Sequence, residues 1–309
     1  MRASLLLLPF LLACPDGDPT PTGDTALGPQ PGEFDYYVHL AELEVDAVGD
    51  LSCYVPGEDW LVQDVDEALQ IDEPHQERVE DFENETPVYD ATVDLWLDNH
   101  VEGAPDLSSA VDSAGNVTFD VPSCTPISYR ARTPPELEET KDTYKAHHLF
   151  EPLAADAPSN PYLSVSRTTY LVIPGLVGES PDPTASIIAG RLFDCEGGHV
   201  EGAQVVVRDA EGVIPTSLEV KYFVDDFPHR DQPHTSEDGL WVAINVPPGT
   251  WFVEAWVHDG DGGHDLIGGT VLESYADSIN ISNIYTGIGD GVFYPDSCLV
   301  DPTATVETE

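Results

Sequence analysis

The sequence predicts an all-β protein with two tandem antiparallel β-sandwich modules, a short connecting helix and an N-terminal tether without regular structure. Three observations predict it. Short segments rich in Val, Ile, Tyr and Trp follow one another through the second half, separated by Gly, Pro, Asp and Ser. Motifs of the first half recur in the same order in the second. A composition of 41% hydrophobic against 22% charged residues supplies core for one or two domains, and the first 33 residues contribute none of it beyond one apolar run.

That run lies in MRASLLLLPFLLAC, where Arg2 precedes apolar residues from Leu5 to Leu12 and the small Ala13 precedes Cys14. In helix it would rise roughly 12 Å, far short of a hydrocarbon core of about 30 Å, so residues 1–13 read as a secretory signal peptide. Leu11-Leu12-Ala13-Cys14 resembles the bacterial lipobox, which implies that Cys14 is the lipid attachment site and the mature amino terminus. Residues 15–33 are nearly all Pro, Gly, Asp, Thr and small residues, so 14–33 is expected to be a flexible linker joining membrane and folded chain. The expected location is the cell envelope, at the outer membrane, periplasmic or surface-exposed.

With 58 Asp and Glu against 11 Lys and Arg, the net charge is −47. Nucleic-acid binding is excluded, because phosphate recognition requires clustered cations, and so is a basic membrane-surface patch.

Four cysteines follow Cys14, namely Cys53, Cys124, Cys195 and Cys298. An even number in an exported chain reads as disulfides, and no CxxC or HxxxH spacing favours a metal. Three pairings exist. The expected one is Cys53 with Cys124 and Cys195 with Cys298, because the Gly- and Pro-punctuated stretch 175–184 marks a domain break with one pair on each side.

Across that break the repeat is explicit. Val101-Glu102-Gly103-Ala104 recurs as Val200-Glu201-Gly202-Ala203, Asp112 to Val117 parallels Ser236 to Trp241, and Asp120-Val121-Pro122 parallels Asn245-Val246-Pro247. In the second copy, strands are expected at 187–193, 203–208, 218–224, 240–246, 251–258, 266–272 and 279–285. Period-two alternation in the fifth puts Trp251, Val253, Ala255 and Val257 on the core face and Phe252, Glu254, Trp256 and His258 opposite. Phe252 and Trp256 then form an aromatic pair that is either covered by another part of the chain or offered as a sugar or protein contact surface.

The stretch GRLFDCEGGHVEGAQVVVRD followed by TSEDGLWVAINVPPGTWFVEAWV (Thr235 to Val257) resembles the carboxypeptidase regulatory-like family, also described as transthyretin-like or prealbumin-like. The resemblance covers residues 185 to about 258, extends toward Cys298, and touches only 91–132 of the first half, where Ser123-Cys124 replaces the Pro-Gly turn. It implies Ig-like or prealbumin-like sandwiches without catalytic machinery: a divergent module over 34–174, a regulatory-like module over 185–298, and a disordered tail over 299–309.

The connecting helix is expected within 134–150. Pro134-Pro135 and Glu136, Glu138 and Glu139 suit a helix start there, and Lys145, His147 and His148 suit its end. Chemical signals are sparse. His258-Asp-Gly-Asp-Gly-Gly-His-Asp265 gathers Asp259, Asp261 and Asp265 with two histidines, a composition that suits a hairpin tip but also a calcium loop lacking the EF-hand pattern. His229 and His234 lie on another loop of the same module, and a metal site would require the two loops to meet. GxSxG, SxxK and HExxH are all missing. The function expected is a non-catalytic envelope lipoprotein that binds or supports an envelope protein or glycan, without a cofactor. Two alternatives are a metal-dependent hydrolase built on the His and Asp loops, and a carbohydrate-binding module.

Overall fold

The computed structural model describes residues 40–70, 72–97, 99–137, 139–152, 160–289 and 291–300. The expected signal peptide, Cys14, the linker and nearly all of the tail lie outside them. The first half contains β1 (Asp72–Asp81), β2 (Thr92–Trp96), β3 (Leu107–Ala110), β4 (Asn116–Pro122), β5 (Ile127–Arg132), β6 (Thr140–His148) and β7 (Tyr162–Ser166). Helix α1 (Arg167–Val177) follows. The second half contains β8 (Ser186–Phe193), β9 (Gln204–Arg208), β10 (Glu219–Val224), β11 (Phe227–His229), β12 (Leu240–Val246), β13 (Gly249–His258), β14 (His264–Ser274), β15 (Ser278–Ile281) and β16 (Ile284–Tyr285). Each strand expected in the second half is present, although the last is broken at Ser282-Asn283 into β15 and β16.

Both halves are two-layered, and their cores follow from alternation. In the first, β3-β2-β5-β6 packs against β4-β1-β7 through Val93, Leu95, Val117, Phe119, Val121, Tyr129 and Tyr162. In the second, β11-β10-β12-β8 packs against β9-β13-β14 through Ile188, Leu192, Val205, Val207, Trp241, Val253 and Ala255. The repeated Gly turns open corresponding strands, Gly115 (φ 85°) before β4 and Gly239 (φ 63°) before β12. Their pairings differ: β4 joins β1, whereas β12 lies between β8 and β10.

One short strand joins the halves. β15 runs parallel to β6 on one side, Ser278 beside Asp142 through Ile281 beside Lys145, and parallel to β8 on the other. All four of its residues are buried. Beyond it the chain crosses Gly190 so closely that a Cβ there would lie 1.6 Å from the Ser282 carbonyl oxygen, so only glycine admits the turn into β16.

The connecting helix is not at 134–150. Residues 140–148 form β6, inserted between β5 and β15, because ladder hydrogen bonds on two sides outweigh a helix signal built only from terminal charges. The helix is α1. Its cap is Ser166, whose hydroxyl accepts the Thr169 N–H at 3.0 Å, and its end is Gly178 in the left-handed region. Tyr170 and Val177 bury one side of α1 against Ile187, Val242, Ile244 and Ile279. Among the described residues, no helix is long and apolar enough to cross a membrane.

The disulfide pairing also differs from expectation: Cys53 joins Cys195 and Cys124 joins Cys298, with Cα separations of 5.7 and 5.4 Å. Both bridges cross residues 175–184. The cause lies in the chain ends, which exchange halves. Residues 40–66, grouped by sequence with the first module, strap across the second, where Leu40 packs with Trp256, Val48 bridges Glu201, and Leu61 N–H donates to the Gly287 carbonyl at 2.8 Å. The C-terminal segment returns to the first half, packing Val292 and Cys298 with Cys124 and Leu149.

His148, the last residue of β6, is turned into the first core, with its ring edge-on to Tyr129 and Phe150 and tilted against Tyr162. Neither ring nitrogen has a hydrogen-bond partner among the described residues, and burial, then the nearby Lys145, holds its pKa well below the ordinary value.

Two predictions follow from this core and these bridges. Peptide mapping without reductant should recover Cys53–Cys195 and Cys124–Cys298, and Cys53→Ser with Cys195→Ser should lower the unfolding free energy by about 2–5 kcal/mol. Since the unfolded chain protonates His148 near 6.5 and the folded chain only at lower pH, stability should fall below pH 6.5, by at most about 1.4 kcal/mol per pH unit from this group. Urea titrations at pH 7 and pH 5 should show a smaller drop for His148→Leu than for the parent.

Candidate functional site

Three places were marked by the sequence or are opened by the fold. The first is the outer face of β13. Alternation there is as expected, with Trp251, Val253, Ala255 and Val257 buried in the second core. On the opposite face the two aromatics differ, Phe252 being half-buried and Trp256 buried. Trp256 is only 5% exposed, covered by Leu40, Trp60, Val206, Ile214 and Leu266. Between the two aromatics lies a buried ion pair: Arg208 of β9 donates to Glu254, and both side chains are 1% exposed. Phe252 stacks on the Arg208 guanidinium, 4.6 Å from ring centroid to Cζ, and Trp256 Nε1–H reaches the second Glu254 oxygen at 3.4 Å. The aromatics therefore flank a buried ion pair, with Leu40 and Trp60 packed on the Trp256 side.

The second place is the Asp-rich hairpin tip. Asp259 Oδ1 accepts the N–H groups of Asp261 and Gly263, both at 2.8 Å, which spends the carboxylate on the turn and lowers its pKa. Asp265 instead accepts the Tyr54 hydroxyl, and burial raises its pKa. On the other loop, His229 Nδ1 accepts the Asp231 N–H, and a His234 ring nitrogen lies 2.9 Å from the Thr235 carbonyl oxygen. Among the described residues, no group of three His, Cys, Asp or Glu is placed to hold a metal ion. The calcium and metal-hydrolase alternatives find no assembled ligand set there.

The third place had no sequence signal. A cavity of about 230 Å³ opens where β6, β16 and the C-terminal segment meet, with Lys145, His147, Glu151, Asn160, Asn283, Tyr285 and Phe293 in its wall. A bulge in β6 builds one side: Tyr129 of β5 is opposite Lys145 and Ile127 is opposite His148, so Ala146 and His147 together face the single residue Ser128. His147 takes φ 57°, a left-handed conformation costly for a side chain that large, and is fixed there by its neighbours. Its N–H donates to Asn99 Oδ1 at 2.6 Å, and its Nε2 lies 2.9 Å from Thr270 Oγ1. Opposite, Phe193, Tyr285 and Phe293 stack with centroid spacings of 5.2 and 4.8 Å. Lys145 and His147, read from sequence as a helix end, are thus wall residues of a cavity.

The enclosed ion pair gives a direct test of the first place. Glu254→Gln should cost about 3–5 kcal/mol by stranding a buried guanidinium, while Arg208→Met with Glu254→Leu should recover most of that stability, as read from urea unfolding midpoints.

No family model matches the chain, and no curated protein matches it. Some solved structures are similar. The Bacillus anthracis TIE protein is 10% identical over 72% of this chain and 35% of that one, with a TM-score of 0.20, so the chain spans about a third of it. The shaft pilin SpaA of Lactobacillus rhamnosus GG is 12% identical over 72% of this chain and 100% of that one, with a TM-score of 0.22. The minor pilin of Streptococcus agalactiae is 9% identical over 72% of this chain and 98% of that one, also with a TM-score of 0.22. At these scores the likeness carries no argument about activity or partner.

Proposed function

We propose that the protein is an exported, non-catalytic binding or structural module, held at the cell envelope through a lipid on Cys14. The observation that carries the exported setting is the pair of disulfides, which use every cysteine after Cys14 and which persist in oxidising compartments. The lipobox-like Leu11-Leu12-Ala13-Cys14 and the Pro- and Gly-rich residues that follow support the anchor and its spacer. One acyl chain binds a membrane marginally and two or three bind it firmly, so a fully lipidated Cys14 would suffice.

We read the second sandwich as a carboxypeptidase regulatory-like module. Support comes from the position of its motifs: Val200 to Ala203 lead into β9, Gly239 opens β12, and Pro247-Pro248-Gly249 turns β12 into β13.

Expression with Cys14→Ser should leave the precursor uncleaved and abolish partitioning of a mature form into detergent. Unchanged processing and lipid labelling in that variant would overturn the anchor.

A further inference from the structure

In a chain of net charge −47, cations do not lack carboxylates. Arg78, Arg130, Arg132, Lys141, Arg191, Arg208 and Lys221 each sit against one. Lys145 is the exception inside the fold. It lies on β6, with Tyr129 of β5 on one side and Ile281 of β15 on the other, and it has no ion pair or hydrogen bond among the described residues. Burial lowers its pKa to about 8, so near neutral pH it is still mainly a cation. Lys145 is half-buried and faces no carboxylate among the described residues, so a partner arriving through the cavity meets an uncompensated cation.

The cavity beside Lys145 supplies the room and the remaining chemistry. At about 230 Å³ it is below the roughly 300–1,000 Å³ of pockets for drug-sized ligands, so it takes one small molecule. Asn160 donates its amide to the Leu149 carbonyl at 2.9 Å, which leaves its oxygen to accept. Glu151 accepts the Ser297 hydroxyl at one oxygen, and the other remains. Tyr285 and Phe293, stacked 14° from parallel, present a flat aromatic wall, and Phe293 is 41% exposed. A cation, two acceptors and an aromatic face match a carboxylate, hydroxyl groups and the C–H face of a sugar ring.

We propose that this cavity binds an acidic monosaccharide of the uronic acid class, with its carboxylate on Lys145, its hydroxyls on Asn160 and Glu151, and its ring against Phe293 and Tyr285. The proposal rests on the reading of the protein as a binding module and is independent of the lipid anchor. The acidic surface repels the ligand at long range, but salt screens that repulsion over about 8 Å, so selection is made by contacts within the cavity.

Binding should depend on pH through Lys145. The titratable groups around it are Tyr129 on β5, Tyr285 on β16, His147 and His148 on its own strand, and Glu151 beyond. Burial raises the two tyrosines and lowers His148, so none of these three changes charge between pH 7 and 9.5. A bound carboxylate favours the ammonium form, so affinity is present below about pH 8 and declines toward tenfold per pH unit above it.

The experiment is isothermal titration of the full-length chain with galacturonate, glucuronate and galactose at pH 7 and 9.5, for the parent and Lys145→Met. At least one uronate should bind tenfold or more tighter than galactose at pH 7, weaken tenfold or more at pH 9.5, and lose tenfold or more in the variant. Removal of an unpaired, half-buried cation should not lower the melting temperature of Lys145→Met. If that variant does not fold, the parent's preference for uronate and its pH dependence decide the matter. Binding of neither uronate, equal binding of galactose, or affinity unchanged at pH 9.5 would each overturn the proposal, and the Cys14 reading would stand untouched by any of them.

Discussion

The two parallel ladders of Ser278–Ile281 make one molecule of two sandwiches. A four-residue strand with free edges would be marginal, but between Asp142–Lys145 and Ile187–Ala189 its backbone is used on both sides and its side chains are buried. The pairing fixes the rest. It draws the layer β3-β2-β5-β6 and the layer β8-β12-β10 into a single sheet, gives α1 an apolar floor of Ile187, Ile279 and Ile281, and requires glycine at position 190 where the chain leaves the strand. The disulfides reinforce the same joint from both ends, with separations of 142 and 174 residues in sequence, so each closes a loop longer than either sandwich.

The few cations of an acidic chain are used in contrasting ways. Arg208 and Glu254 are fully buried, and their charges are met by each other, by the Phe252 ring and by Trp256 Nε1–H. Asp94 is likewise buried on β2. Burial would raise its carboxyl, but hydrogen bonds from Arg132, Ser108 and Arg130 outweigh it and bring the pKa to about 2. Lys145 is half-buried and has no such partner among the described residues. Satisfied pairs specify a packing, whereas a cation without one lines the wall of a cavity.

Local order was legible in the sequence because it is set by neighbours in the chain. Trp251, Val253, Ala255 and Val257 alternate with Phe252, Glu254 and Trp256, and that period of two is enough to identify a strand and its two faces. The Gly turns before β4 and β12 and the Pro247-Pro248-Gly249 corner announced themselves through backbone constraints belonging to those residues alone. The same reasoning failed at 134–150, where charges consistent with helix ends lay on a strand whose conformation is imposed by two partners distant in sequence. The helix fell instead on Arg167–Val177, although Pro174 lies within it, because a capping serine, a terminal glycine and an apolar sheet face outweigh one lost N–H.

What the sequence by itself determined is the all-β character, the strands of the second half, the face of each residue on β13, and the even set of cysteines suited to disulfides. Only the tertiary structure decided which cysteines meet, what covers Trp256, and where the cavity opens. The physical reason is range. Alternation, capping and turn chemistry act within a few residues, whereas residues 40–66 crossing to the second half, the C-terminal segment returning to the first, and β15 inserting between β6 and β8 depend on surfaces that exist only once both sandwiches have formed.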